Sequence, residues 1–272
     1  MLWEELTAPN FEKAVKDCGG VCVLPLGVLE KHGNHLPLGT DMYSAMAICK
    51  VAAEKEPAIV FPYYFMGQIA EARHYPGTIS VSYRTMMDVL LEMCDEISRN
   101  GMKKILVMSG HGGNGHFLPF FAQSMLGLDR DYSVYTGFVG HSTEDQRKQL
   151  IEASGKTDFG QHAGLKETAL MMHLRGDLIR TQDQDPTEGK SLNRLDPLKD
   201  ASVYTGFGWY ANFPAHIAGD YTGATPELGK LIFEHATENV ANAIKAIKAD
   251  HTSDPLLQEF TKYANKPTCA PR

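Results

Sequence analysis

An α/β fold, with a mostly parallel sheet between two layers of helices, is what the sequence predicts, on three observations. Four apolar runs of strand length recur along the chain, each followed by a segment with helical spacing. The run at 21–26 (Val-Cys-Val-Leu-Pro-Leu) is continuously apolar, the pattern of a strand covered on both faces. Helices of about ten residues or more separate the runs, which suits parallel crossovers rather than hairpins.

The elements follow in order. Residues 6–16 have helical spacing, with Thr7 placed to cap them. After the strand at 21–26, residues 42–54 form an alanine-rich helix and 58–63 a second strand. Residues 83–100 read as a long amphipathic helix that Gly101 ends. A third strand at 104–108 and a helix at 115–128 come next, then a strand at 132–139 and a helix at 144–153. Helices at 164–174 and 226–249 complete the set, the last with Thr225 as N-cap and Pro226 at its first position. Residues 176–221 are irregular and rich in Asp, Gly and Pro, and so long a loop is expected to act as a lid or an oligomer contact. With no repeat, low-complexity tract or linker, residues 1–272 read as one domain.

Composition excludes several classes. At 43% hydrophobic residues the chain can bury a sizeable core, so it is neither disordered nor fibrous. The 33 acidic residues outnumber 26 basic ones for a net charge of −7, which argues against nucleic acid or an anionic membrane as partner. Cys18, Cys22, Cys49, Cys94 and Cys269 are sparse and form no zinc-finger spacing, as expected of a protein from a reducing compartment. The segment Met1-Leu2-Trp3-Glu4-Glu5 lacks the basic start and apolar run of an export signal, and the longest apolar stretches, 21–29 and 59–66, are too short for a bilayer. A cytoplasmic protein is expected.

Chemistry concentrates at five places. Glu30-Lys31-His32 follows the first strand directly, and Asp41 comes eleven residues after Glu30 at a helix start. Ligands gather at the carboxyl edge of such sheets, and a carboxylate and an imidazole two residues apart can reach one metal cluster. Asp41 could equally be only the cap of its helix. Ser109-Gly110-His111-Gly112-Gly113-Asn114-Gly115-His116 follows the third strand. It could cradle a phosphate, but no acidic partner about 20 residues on completes a dinucleotide site, so His111 is favoured as a ligand. His162-Ala163-Gly164-Leu165-Lys166-Glu167-Thr168 pairs a histidine with a carboxylate in a first helical turn, where an acid also favours the dipole without any function. His74-Tyr75-Pro76-Gly77-Thr78 puts a histidine before a tight turn, where it could also be merely solvated. The fifth place is the loop 219–225 before the last helix.

Three histidines and three carboxylates, without a thiolate, suit a catalytic zinc, manganese or iron site better than a structural one. Trp209 and Tyr210 could stack on a planar ligand or pack at an interface.

Residues 24–41, Leu-Pro-Leu-Gly-Val-Leu-Glu-Lys-His-Gly-Asn-His-Leu-Pro-Leu-Gly-Thr-Asp, resemble the signature of the creatininase (creatinine amidohydrolase) family. His74-Tyr75-Pro76-Gly77-Thr78-Ile79-Ser80, Ser109–Asn114 and His162–Thr168 are similar to its further motifs, in the family's order. The resemblance implies an α/β/α sandwich, a site for two divalent metal ions (zinc, manganese or iron), and often a hexamer. It implies hydrolysis of non-peptide carbon–nitrogen bonds in cyclic amides and formamides. By the same resemblance Glu30, His32, Asp41, His111 and Glu167 would bind metal, Asp41 bridging, and His162 would transfer a proton near the substrate.

The chain departs from creatininase proper. That enzyme has a Gly-His-Tyr-Glu-Asn pattern, whereas Gly113 here gives the His-Gly-Gly-Asn form of wider relatives and removes a carboxylate, which argues against creatinine as substrate. Lys31 replaces the glutamine common between the first two ligands and would add positive charge for an anionic substrate. The expected protein is therefore a homo-oligomeric, metal-dependent amidohydrolase in which a metal-bridging hydroxide attacks a small-molecule amide. His74 and Trp209 would contact substrate, and residues 176–221 would set specificity. A lactonase or peptide-trimming hydrolase on the same site, or a non-catalytic binding paralogue, are the alternatives.

Overall fold

Four short strands, all parallel, position everything else. In the computed structural model, which describes residues 1–185, 187–267 and 269, β1 (Val21–Leu26), β2 (Ile59–Val60), β3 (Lys104–Ser109) and β4 (Ser133–Phe138) lie in the order β2-β1-β3-β4. The chain leaves β1 for β2 on one side and then crosses to β3 on the other. That reversal opens a crevice at the carboxyl ends of β1 and β3.

Helices cover both faces. In chain order they are α1 (Ala8–Asp17), α2 (Thr40–Lys55), α3 (Tyr83–Arg99), α4 (Asn114–Ser124), α5 (Glu144–Ser154), α6 (Leu165–Arg175), α7 (Asp196–Asp200), α8 (Gly208–Asn212), α9 (Pro226–Ala249) and α10 (Ser253–Ala264). The pleat sends alternate side chains of β1 and β3 to opposite faces. Cys22, Leu24, Leu26, Ile105 and Val107 pack with Ala14 of α1, Leu90 and Ile97 of α3 and Phe121 of α4. Val21, Val23, Leu106 and Met108 pack with Ile48 of α2, Leu165 of α6 and Ile232 and Ile244 of α9. The result is the three-layer α/β/α sandwich the sequence predicts. Both strands are buried almost throughout, which is why they read as apolar runs without alternation.

Pro25 sits inside β1, where a missing N–H would normally break a ladder. Val23 O accepts from Phe61 N on the β2 side, and Pro25 points the same way two residues later, where β2 has already ended at Val60. Its missing donor therefore has no ladder partner to lose. Boundaries differ from the expected ones for local reasons. The second strand spans 59–60 rather than 58–63, because Pro62 cannot donate to the ladder. The fourth helix ends at Ser124, and a 3-10 turn at Met125–Gly127 takes up the rest. Thr225 caps α9, its hydroxyl accepting from Leu228 N at 3.1 Å, but Thr7 makes no side-chain cap on α1. Residues 176–221 hold α7, α8 and 3-10 turns rather than one open loop. No helix among the described residues is long and apolar enough to cross a membrane.

Candidate metal centre

Two glycines bring the strand ends onto the first turn of α2. A Cβ on Gly27, just past β1, would lie 2.6 Å from Met42 N, and one on Gly110, just past β3, would overlap the Asp41 carbonyl oxygen. No larger residue allows that approach. The chain after β1 then delivers Glu30 and His32, and the chain after β3 delivers His111, around Asp41. The N-cap position of α2 is Gly39, so Asp41 lies inside the first turn and does not cap it. Its carboxylate is instead buried and divided between two imidazoles. Oδ1 lies 3.2 Å from His32 Nε2 and Oδ2 3.3 Å from His111 Nδ1.

Glu167, in the first turn of α6, completes the ring with Oε2 3.9 Å from His32 Nε2. Its other task is local: the same oxygen accepts from Ala163 N at 2.6 Å. Three overlapping groups of candidate ligands result, each with one donor atom per residue within 4.8 Å of the others: Glu30, Asp41 and His111; His32, Asp41 and Glu167; and Glu30, His32 and His162. The five residues expected to bind metal, and His162, thus converge at one point on the carboxyl edge.

Each imidazole has one nitrogen fixed by a backbone carbonyl. His32 Nδ1 donates to Glu30 O at 3.2 Å, His111 Nε2 to Gln68 O at 2.8 Å and His162 Nε2 to Lys31 O at 2.8 Å. A carbonyl only accepts, so the proton on each of those nitrogens is assigned and the other nitrogen faces the carboxylates. Asn114 supports this arrangement, since its Oδ1 accepts from Gln68 N at 2.9 Å while its amide donates to Ser109 Oγ at 3.1 Å.

These donors fit a cation. Glu30 Oε1 and Asp41 Oδ2 are buried without a hydrogen-bond partner, and both face His111 Nδ1, at 2.7 and 3.3 Å. Buried oxygens of this kind are costly unless positive charge reaches them. Protonation answers the same demand. Burial alone would lower His32, but Asp41, Glu30 and Glu167 outweigh it and push the imidazole up to about 10. Burial likewise opposes charge on His111, yet Glu30 and Asp41 hold it well above the ordinary histidine value. Burial would raise Glu30, but the charges of His111 and His162 and the hydrogen bond from His216 keep its carboxyl well below the usual range. Glu167 goes the other way, raised to about 7 by burial, with Asp41 and Glu30 adding to the shift and His32 opposing it. His162 is also distinct: burial, with His32 and His216 nearby, keeps it well below the ordinary value and so neutral, against the pull of Glu30.

His216 is the residue the sequence reading missed. It is buried, and its Nε2 donates to Glu30 Oε2 at 2.6 Å. Trp209 Nε1 donates in turn to His216 Nδ1 at 3.1 Å, so a Trp–His–Glu relay holds the carboxylate from behind. Backbone strain marks the same place. Four described non-glycine residues have positive φ, and two of them, Ala163 (52°) and His216 (55°), flank the site. An isolated antiparallel bridge between His162 and Ala218 ties their two loops together.

The remaining expectations land differently. Lys31 Nζ sits 3.8 Å over the Tyr75 ring, so its charge is engaged there. His74 packs against Tyr75 and Tyr210 and bonds Pro214 O at 3.2 Å. Trp209 stands edge-on to His162, with ring centroids 5.7 Å apart. A cavity of about 380 Å³ adjoins Asp41, His162 and Glu167. Its walls come from the segments 138–140 and 158–167 and from α2, α5, α6 and α9, and none of residues 176–221 lines it. Trp209 and His216 of that segment brace Glu30 from behind, and this cavity is walled by other elements.

Comparison with known proteins agrees with this architecture. Creatinine amidohydrolase of Pseudomonas putida is 27% identical over 258 residues, covering 89% of this chain and 95% of its own. The mycofactocin precursor peptide peptidase of Mycolicibacterium smegmatis is 28% identical over 234 residues, 84% of this chain and 85% of its own. The solved structure described as Creatininase Mn superposes with a TM-score of 0.71 at 25% identity, covering 90% of this chain and 97% of that one. The sequence pattern of the family described as Creatininase: Creatinine amidohydrolase matches residues 4–244, and the chain belongs to that family.

Proposed function

We propose that the chain is a metal-dependent hydrolase of a non-peptide carbon–nitrogen bond, a cyclic amide or a formamide. Glu30, Asp41 and His111 would hold one divalent ion and His32, Asp41 and Glu167 a second, with Asp41 common to both groups. The observation that carries this reading is the pair of buried, partnerless oxygens, Glu30 Oε1 and Asp41 Oδ2, facing one imidazole nitrogen. Bound divalent ions supply a water acidic enough to be a nucleophile near neutral pH and polarise an acyl oxygen.

The protein's own groups do the rest. His162 keeps Nε2–H on Lys31 O, which leaves Nδ1 with a lone pair beside the ligands. From there it can take a proton from the attacking water and return it to the leaving nitrogen. The Trp209–His216 relay fixes Glu30 so that its free oxygen stays aimed at the ion position. Trp209 forms a wall beside His162, and His74 braces the 214 turn behind it. Peptide trimming on the same site is the second reading, favoured by the 28% identity to a peptidase.

Metal analysis of protein purified without chelator, followed by a screen of lactams, formamides, small lactones and short peptides, tests the proposal. Near-stoichiometric metal and turnover of an amide are expected. A protein with little bound metal and no turnover after reconstitution would instead be a binding paralogue.

A further inference from the structure

Two cations line the cavity beside the candidate metal centre, and neither is held in an ion pair among the described residues. Lys166 Nζ donates to Gly140 O at 2.6 Å and Ser142 Oγ at 3.0 Å, two neutral acceptors that leave one ammonium proton over. Arg147 donates to Thr157 O at 2.8 Å and lies 5.3 Å over the Phe159 ring. Both line the cavity that also reaches Asp41 and Glu167. Neither forms an ion pair within 4.0 Å among the described residues, although most lysines and arginines that pair elsewhere in the chain do so on the surface. Two like charges held together in a partly buried space are unfavourable unless an anion joins them.

We infer that this cavity receives the non-reacting end of the substrate and that Lys166 and Arg147 bind a carboxylate there. The inference rests on the amidohydrolase reading and narrows it: the amide cleaved at the metal centre is an anionic one, such as a lactam carboxylate or an N-formyl amino acid. Ile48, Phe138, Leu170 and Ile232 give the cavity apolar walls that suit a short hydrocarbon link between amide and carboxylate. A monoanion fits better than a phosphate dianion. Asp158 also lines the cavity, its Oδ1 taken by Gly160 N–H at 2.9 Å, and it would repel the second charge.

Matched substrates test the inference. On the metal-loaded protein, kcat/KM is compared for 2-pyrrolidinone-5-carboxylate against 2-pyrrolidinone, and for N-formylglycine against N-formylethylamine. The carboxylate member is expected to be preferred at least about tenfold, the worth of one hydrogen bond to a charged group. Arg147→Gln and Lys166→Gln should abolish that preference through KM while leaving kcat on the neutral member unchanged. Arg147 is exposed, so its variant keeps the fold if Lys166→Gln loosens the 140–142 turn. Equal turnover of both members, unaltered by Arg147→Gln, overturns the carboxylate site and leaves the amidohydrolase reading standing. Calorimetric titration of the metal-loaded protein with isobutyrate decides the matter without turnover. Binding at least about tenfold weaker in Arg147→Gln supports the site, and equal or absent binding in both proteins overturns it.

Discussion

The loops that leave β1 and β3 and the long segment 176–221 both reach the candidate metal centre, but they are built on opposite plans. The strand-end loops are short and buried, and they close onto α2 through Gly27 and Gly110. Every candidate ligand they carry lies within eleven or so residues of another motif residue. The segment 176–221 has two five-residue α-helices and short 3-10 turns and exposes Leu192, Tyr204 and Phe207, yet it sends Trp209 and His216 in behind Glu30. The first region supplies the charge and the second holds it in place. Rigid elements give a ligand its position; a loop needs only one well-made hydrogen bond to refine it.

Four substitutions break or sharpen that contrast. Asp41→Ala should have the largest effect. It removes the one carboxylate placed between both sets of ligands, so metal content and turnover should fall together to the level of the chelated wild type, read by elemental analysis and kcat. Full activity in that variant would make Asp41 a structural residue of α2 only. His162→Asn comes next. Its metals should remain while kcat falls by about 10²–10⁴-fold, the usual worth of a proton-transfer group. Lost metal would make His162 a ligand, and unchanged turnover would remove the proton step.

His216→Asn probes the long segment. Asparagine tolerates the positive φ of 55° at this position, so the backbone should hold while the bond to Glu30 is lost. Metal affinity should weaken by about 10–100-fold, as when other groups that orient ligands are removed, measured by competition with a chelator. An unchanged affinity would mean that the segment contributes nothing to the centre. Tyr204→Ser sets the baseline. Tyr204 is 82% exposed on the same segment, and its loss should change stability by no more than about 0.5 kcal/mol in a denaturant titration. A larger change would show that the outer part of the segment is structural.

The site was half legible before any coordinates. Glu30, His32, Asp41, His111, His162 and Glu167 stand in local motifs beside strand ends, so periodicity located their elements and the resemblance gave them roles. His216 carries no such signal. A lone histidine after Pro214-Ala215 in an irregular stretch looks like any solvated one, and its partner Glu30 is 186 positions away. The one clue was its distance of three residues from Gly219, inside a stretch where glycines and Asp cluster, which says turn and not contact.

The cavity follows the same division. A space between β4, α5, α6 and α9 lies beside the candidate ligands, and in the sequence its Lys166 is only the neighbour of Glu167. By itself the sequence determined the α/β class, the layer order and the ligand types, because burial pattern, crossover length and motif chemistry are properties of neighbours along the chain. Only the tertiary structure decided which nitrogen of each histidine faces a carboxylate, which residue holds Glu30, and where two unpaired cations meet. Those are contacts between residues far apart in sequence, and their geometry exists only once the layers have packed.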